Sequence, residues 1–176
     1  MMKGKYLYCS FLLLVSILIF STTSHAQSRL RQVRFEELDS LQAVVRKPVL
    51  VFIHTDWCMY CGAMRNVTLK KNSVIRLLNE QFYFVNFDAE QKSDIMFKGS
   101  RYAYKPTGMN TGVHELAIEL GRGKDGLGFP TVSILSETGD IVLQYAGYIT
   151  AKELVQLLNK VLDSKPTYMI GSSAFK

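Results

Sequence analysis

Cysteine is scarce in this chain, three in 176 residues, and so are proline (four), histidine (three) and tryptophan (one). Three cysteines cannot knit a disulfide-rich scaffold. The histidines form no HExxH pair, and neither a phosphate-cradling glycine loop nor a serine, histidine and acid arrangement is present, so the common metallohydrolase, nucleotide and serine-hydrolase signatures are missing. Runs of one charge are missing too. Beyond the first residues no basic run exceeds two residues, as in Lys70-Lys71, and no basic stripe is interleaved with aromatics, so nucleic-acid binding is not indicated. There is no internal repeat, heptad or low-complexity stretch. The length suits a single domain with a full hydrophobic core.

Long apolar runs are confined to the N-terminus. Lys3 and Lys5 precede an apolar stretch from Tyr6 to Phe20, followed by the small-x-small sequence Ser24-His25-Ala26. This pattern is that of an export signal, residues 1–26, cut after Ala26. The stretch falls short of the ~20 residues a membrane-spanning helix needs, so no stable span is expected after cleavage. Cys9 lies inside the apolar stretch and leaves with it. Loss of Lys3 and Lys5 lowers the formal charge from +6 to +4. The expected mature domain is 27–165, with residues 166–176 as a C-terminal tail, in a periplasmic or otherwise exported compartment.

That leaves Cys58 and Cys61 as the cysteines of the mature chain. They follow Trp57 and come just after the apolar run Val49-Leu50-Val51-Phe52-Ile53, which has the length of a strand buried on both faces. Cysteines at i and i+3 share one helix face, so their sulfurs can close a small ring. A helix N-terminus favours the thiolate that attacks disulfides. A loop this short gains little chain-entropy stabilisation, which points to a catalytic rather than a structural bond. Taken alone, the pair is equally half of a zinc site.

Apolar residues at Phe35, Leu38, Leu41, Val44 and Val45 predict a first amphipathic helix, ended by Lys47-Pro48. A helix is predicted from Cys58 to about Leu69, then a second one, capped by Asn72 or Ser73 and ending near Asn79. Phe82 to Asp88 reads as a strand. Between about 91 and 112 a hairpin is expected, Ile95-Met96-Phe97 and Arg101-Tyr102-Ala103-Tyr104 around Lys98-Gly99-Ser100, then a loop through Pro106-Thr107-Gly108. Val113 to Leu120 returns to helix. Thr131 to Leu135 and Ile141 to Tyr145 bracket a Gly-Asp turn as a second hairpin, and Ala151 to Leu162 forms a closing helix with Thr150 as N-cap.

Helix, strand, Trp-Cys-x-x-Cys helix, strand, helix, Gly-Phe-Pro-Thr, hairpin and helix, in that order, resemble the thioredoxin fold, and Trp57 to Cys61 resembles its active-site signature. The resemblance spans Phe35 to Leu162. It implies an α/β fold with a central mixed sheet flanked by helices and an inserted hairpin and loop before a cis-proline. It implies that Pro130 is that proline, packed against the cysteines, and that Trp57, Phe129 and Pro130 bind substrate, the backbone of Phe129 pairing with substrate peptide. By the same resemblance Cys58 is the exposed attacking thiolate and Cys61 the more buried resolving thiol, exchanging disulfides with client proteins and regenerated by an upstream redox partner, with no cofactor and no metal.

Two departures stand out. The carboxylate that thioredoxins bury six positions before the first cysteine is Phe52 here, and Asp56 is the nearest acid. Met59-Tyr60 replaces the Gly-Pro of thioredoxins and the Pro-His of strong oxidases, and lacking that histidine the pair leans to reductase or interchange activity. Competing readings are a Cu(I)-binding or metallochaperone protein using Cys58, Cys61 and His54 with soft sulfur ligands, and a non-catalytic binding module. Phe97, Tyr102 and Tyr104 in the insertion read as packing residues first and as a partner surface second.

Overall fold

The structure is a computed structural model describing residues 29–124 and 126–164; the expected export signal and C-terminal tail lie outside the described residues. Helix α1 (Phe35–Val44) leads into strand β1 (Val49–His54). After the cysteine turn come α2 (Met59–Ala63), a π-helical segment Met64–Thr68, α3 (Asn72–Gln81) and β2 (Tyr83–Asp88). The inserted region holds β3 (Ile95–Phe97), β4 (Ser100–Tyr102), β5 (Tyr104–Pro106) and β6 (Gly112–His114). Helix α4 (Glu115–Gly121), the short pair β7 (Arg122–Gly123) and β8 (Gly126–Leu127), strands β9 (Thr131–Leu135) and β10 (Ile141–Ala146), and α5 (Ala151–Asp163) complete the order.

The main sheet runs β10-β9-β1-β2, with β1 parallel to β2 and antiparallel to β9, and β10 antiparallel to β9. Every residue of β1 is buried, as its unbroken apolar run requires of a central strand. Successive side chains of a strand point to opposite faces, so β1 feeds two cores. Leu50 and Phe52 join Cys58, Cys61, Met64, Leu78, Leu154 and Leu158 on one face. Val49, Val51 and Ile53 join Phe35, Leu38, Phe87, Leu116 and Leu120 on the other. The cysteines therefore share a layer with α3 and α5, and the insertion packs in the opposite layer.

The insertion is part of that second core. Phe97 and Ile95 are buried in it, and the Phe35 ring meets Phe87 at 5.1 Å and Phe97 at 5.3 Å, both edge-on. Lys98 and Gly99 adopt positive φ angles of 51° and 73°, the backbone a two-residue hairpin turn requires. Tyr102 is half-buried against the same core, and Tyr104 lies so close to Gly112 that a Cβ there would meet its ring at 2.4 Å. The aromatics of this region pack onto the domain, as expected first.

Several local expectations shift by physical causes. The helix after the cysteines does not stay α-helical to Leu69: the wider π turn, closed by the Leu69 N–H donating to the Met64 carbonyl at 2.9 Å, brings Met64, Thr68 and Leu69 all into the core. Thr68 donates from there to the Ile149 carbonyl at 2.8 Å. Helix α3 starts one residue early, with Lys71 at the N-cap and no side-chain cap, so neither Asn72 nor Ser73 plays that part. The loop expected after the first hairpin contains a second one, β5 with β6, so Val113 and His114 are strand and α4 begins at Glu115. Val44 is 83% exposed rather than inward, because α1 buries its first turns, at Phe35 and Leu38, and leaves its last turn in solvent. Thr150 does cap α5: its hydroxyl accepts from the Glu153 N–H, and the Glu153 carboxylate accepts from the Thr150 N–H.

Candidate active site

Strand β1 ends at His54, and the loop Thr55–Trp57 turns the chain so that Cys58 becomes the N-cap of α2. The Cys58 N–H donates to the Thr55 carbonyl at 3.4 Å, while its sulfur accepts from the Cys61 N–H at 3.1 Å. Cys58 and Cys61 are joined as a disulfide, with Cα atoms 5.2 Å apart. The two residues differ in exposure, but less than expected: Cys58 keeps 7% and is itself nearly buried in the core beside Phe52, and Cys61 keeps none. In the reduced state the free N–H groups of the first helical turn favour negative charge on Cys58.

Around the pair lies an exposed apolar rim, unusual for a soluble surface: Trp57 at 69%, Met59 at 76% and Tyr60 at 60%. The Trp57 ring stands edge-on to Phe129 at 6.0 Å, and its indole N–H donates to the Glu90 carboxylate at 3.1 Å. Phe129 is half-buried, and its peptide bond to the buried Pro130 is cis. The structure thus brings Trp57 and Phe129 into contact beside the cysteine turn. Glu90 is a neighbour that sequence reasoning missed; it stands 33 residues away, two positions past the end of β2, with no local pattern to mark it.

Beneath the pair the core is apolar. Phe52 is fully buried in the cluster that contains both cysteines, and among the described residues no Asp or Glu is buried. Asp56 is exposed and faces Arg65 at 3.9 Å, away from the interior. His54 is buried, stacks on Phe52 at 5.3 Å, and has a pKa held below the ordinary imidazole value, first by burial and then by the Arg65 cation. Among the described residues no three His, Cys, Asp or Glu side chains gather where one metal ion could be held, so His54 does not form a ligand cluster with the cysteines. His114 is occupied structurally: its Nδ1 accepts from the Leu116 N–H and its Nε2 lies 3.2 Å from the Ser93 carbonyl.

A mixed four-stranded sheet whose central strand delivers a cysteine pair to the N-terminus of the next helix places this molecule in the class of thioredoxin-fold proteins with a dithiol–disulfide centre. Residues 36–162 match the family described as thioredoxin-like domain, and the chain belongs to that family. Among solved structures it is similar to a DsbH oxidoreductase (18% identity, 82% of this chain and 92% of that one, TM-score 0.57). It is similar to a thioredoxin from Thermus thermophilus (22%, 76% and 87%, TM-score 0.53) and to a putative disulphide-isomerase from Bacteroides thetaiotaomicron (23%, 78% and 95%, TM-score 0.51). At these identities the likeness is one of fold. None of the curated protein sequences compared matches the chain. Among the described residues no helix is long and apolar enough to cross a membrane.

Proposed function

We propose that this chain is an exported thiol–disulfide oxidoreductase that exchanges disulfides with client proteins through Cys58 and Cys61, working in the reductase or interchange direction. The observation that carries the reading is a bonded cysteine pair at a helix start whose members differ in exposure, 7% for Cys58 and none for Cys61, which makes Cys58 the one of the two that a client can approach. The Cys58 thiolate attacks a client disulfide, and one client sulfur leaves as a thiolate. The Cys61 thiolate then attacks Cys58, restoring the Cys58–Cys61 bond and releasing the second client thiolate. Two electrons pass from protein to client, and an upstream dithiol partner returns them.

Trp57, Met59, Tyr60 and Phe129 supply an apolar surface on which a client segment can rest, and the backbone beside the cis Phe129–Pro130 bond supplies peptide polar groups. The absence of histidine between the cysteines supports the reducing direction. Residues 1–26 act in this reading as the export signal and set a periplasmic location. In cell extracts, Cys61→Ser should accumulate covalent client adducts on Cys58 that dithiothreitol releases, and Cys58→Ser should lose insulin reduction. Wild-type insulin reduction that persists in Cys58→Ser would refute the assignment.

A further inference from the structure

His54 poses a problem that its stated neighbours do not solve. It is 4% exposed, and the Thr55 backbone acts on the ring at a geometry too poor to satisfy either nitrogen fully, a costly condition for a buried polar group. It projects from β1 on the same face as Leu50 and Phe52, the face that carries Cys58, Cys61 and Met64. Its ring stacks on Phe52, which packs in one cluster with both cysteines. On the helix side, Arg65 lies four residues beyond Cys61, about one turn on, and its charge acts on the imidazole. The ring thus lies on the cysteine-bearing face of β1, against Phe52 and within the field of Arg65.

That turn has a chemical need. Cys61 must lose a proton before it can attack the mixed disulfide, and the carboxylate that would take it in thioredoxins is replaced by Phe52. Resting on the exchange reading above, we propose that His54 is the proton acceptor for Cys61: the neutral imidazole takes the thiol proton, Cys61 attacks Cys58 as a thiolate, and the imidazolium then gives the proton to the departing client sulfur or to water. Burial and the Arg65 cation keep the resting ring neutral, so a nitrogen lone pair is free to take a proton though its basicity is reduced, while Asp88 on β2, Asp56 in the loop and the Thr55 backbone favour the imidazolium once it forms. The Asp88 carboxylate also accepts from the Glu90 N–H at 3.0 Å, so its charge is fixed in place. Thiolate and imidazolium form together as a pair of opposite charge, which a low-dielectric site tolerates better than a lone ion.

The test uses the reduced full-length protein and an aromatic disulfide reagent whose thiolate is coloured. The first burst reports attack by Cys58 and the second reports closure by Cys61. His54→Phe keeps a flat ring on Phe52 and removes the base. It should leave the first burst within about twofold and slow the second at pH 7 by at least tenfold, in the range that positioned bases supply. Its closure rate should then rise about tenfold per pH unit, whereas the wild-type rate levels off as His54 becomes neutral. An unchanged second burst, or both bursts slowed equally, overturns the role of His54. A wild-type protein with no first burst overturns the exchange reading itself. Should His54→Phe not fold, the imidazole resonances of wild type decide: His54 should titrate differently in the reduced and oxidised proteins, and identical curves overturn the proposal.

Discussion

Phe35→Ala tests whether the insertion is a wall of the domain and whether the two cores act independently. Phe35 is 5% exposed and touches Phe87 of β2 and Phe97 of β3 edge-on at 5.1 and 5.3 Å. Truncating a buried phenylalanine costs ~3–5 kcal/mol, a figure that includes ring pairs worth ~0.5–1.5 kcal/mol each. Phe35 opens its helix at the rim of the core, where the β3–β4 hairpin can settle inwards, so the low end, ~3 kcal/mol, is expected. With an unfolding entropy of ~2.1 cal/mol/K per residue, a domain of about 135 residues should melt ~10 °C lower. Urea denaturation followed by circular dichroism measures the loss, and hydrogen exchange should show residues 95–102 losing protection. Cys58 and Cys61 belong to the core on the other face of the sheet, so thiol exchange measured well below the new melting point should match wild type. A loss under ~1 kcal/mol, the level of an ordinary surface change, or exchange abolished in the folded variant, would refute the two-layer reasoning.

Gly121→Ala places a methyl 2.6 Å from Leu127 Cδ1 and 2.9 Å from Ile53 Cδ1, and overpacking of ~1–3 kcal/mol should exceed the ~1 kcal/mol helical gain; an increase in the urea midpoint would contradict that packing. Thr150→Ala removes the cap of α5 and should cost ~1 kcal/mol, against no change if the cap contributes nothing. Stability should fall on acidification below pH 6.5. His54 and His114 both titrate below 6.5 in the folded protein, chiefly because burial disfavours the charged ring, so the unfolded chain binds more protons in that window. Their contribution is complete above 6.5 and is lost as pH falls toward the folded values. Equal urea midpoints at pH 7.5 and 5.5 would contradict it.

The parts legible in the sequence are those governed by short-range pattern. Val49 to Ile53 announces a doubly buried strand, and the i, i+3 spacing of Cys58 and Cys61 announces a ring at a helix start, because both depend on residues a few positions apart. Features set by distant partners were not legible. The π turn at Met64–Thr68 goes with a bond from Thr68 to Ile149, 81 residues on. The β5–β6 hairpin depends on Tyr104 lying over Gly112, across a turn whose Pro-Thr-Gly sequence reads as loop. Glu90 reaches Trp57 only after β2 has been laid beside β1. His54 was legible as a strand-end residue, but its buried and poorly satisfied ring exists only once Phe52, Arg65 and the active-site loop surround it.

Strand β10 carries a liability together with its remedy. Among the described residues nothing pairs with its outer side, and Ile141, Val142 and Tyr145 stand in solvent there. A straight border of that kind invites neighbouring molecules to zip on as additional strands. The register slip between Ile141 and Leu143 bends the border and interrupts the row of amides a visitor would need. The sheet is thereby discouraged from adding extended segments of other polypeptides, or of its own copies, at this border.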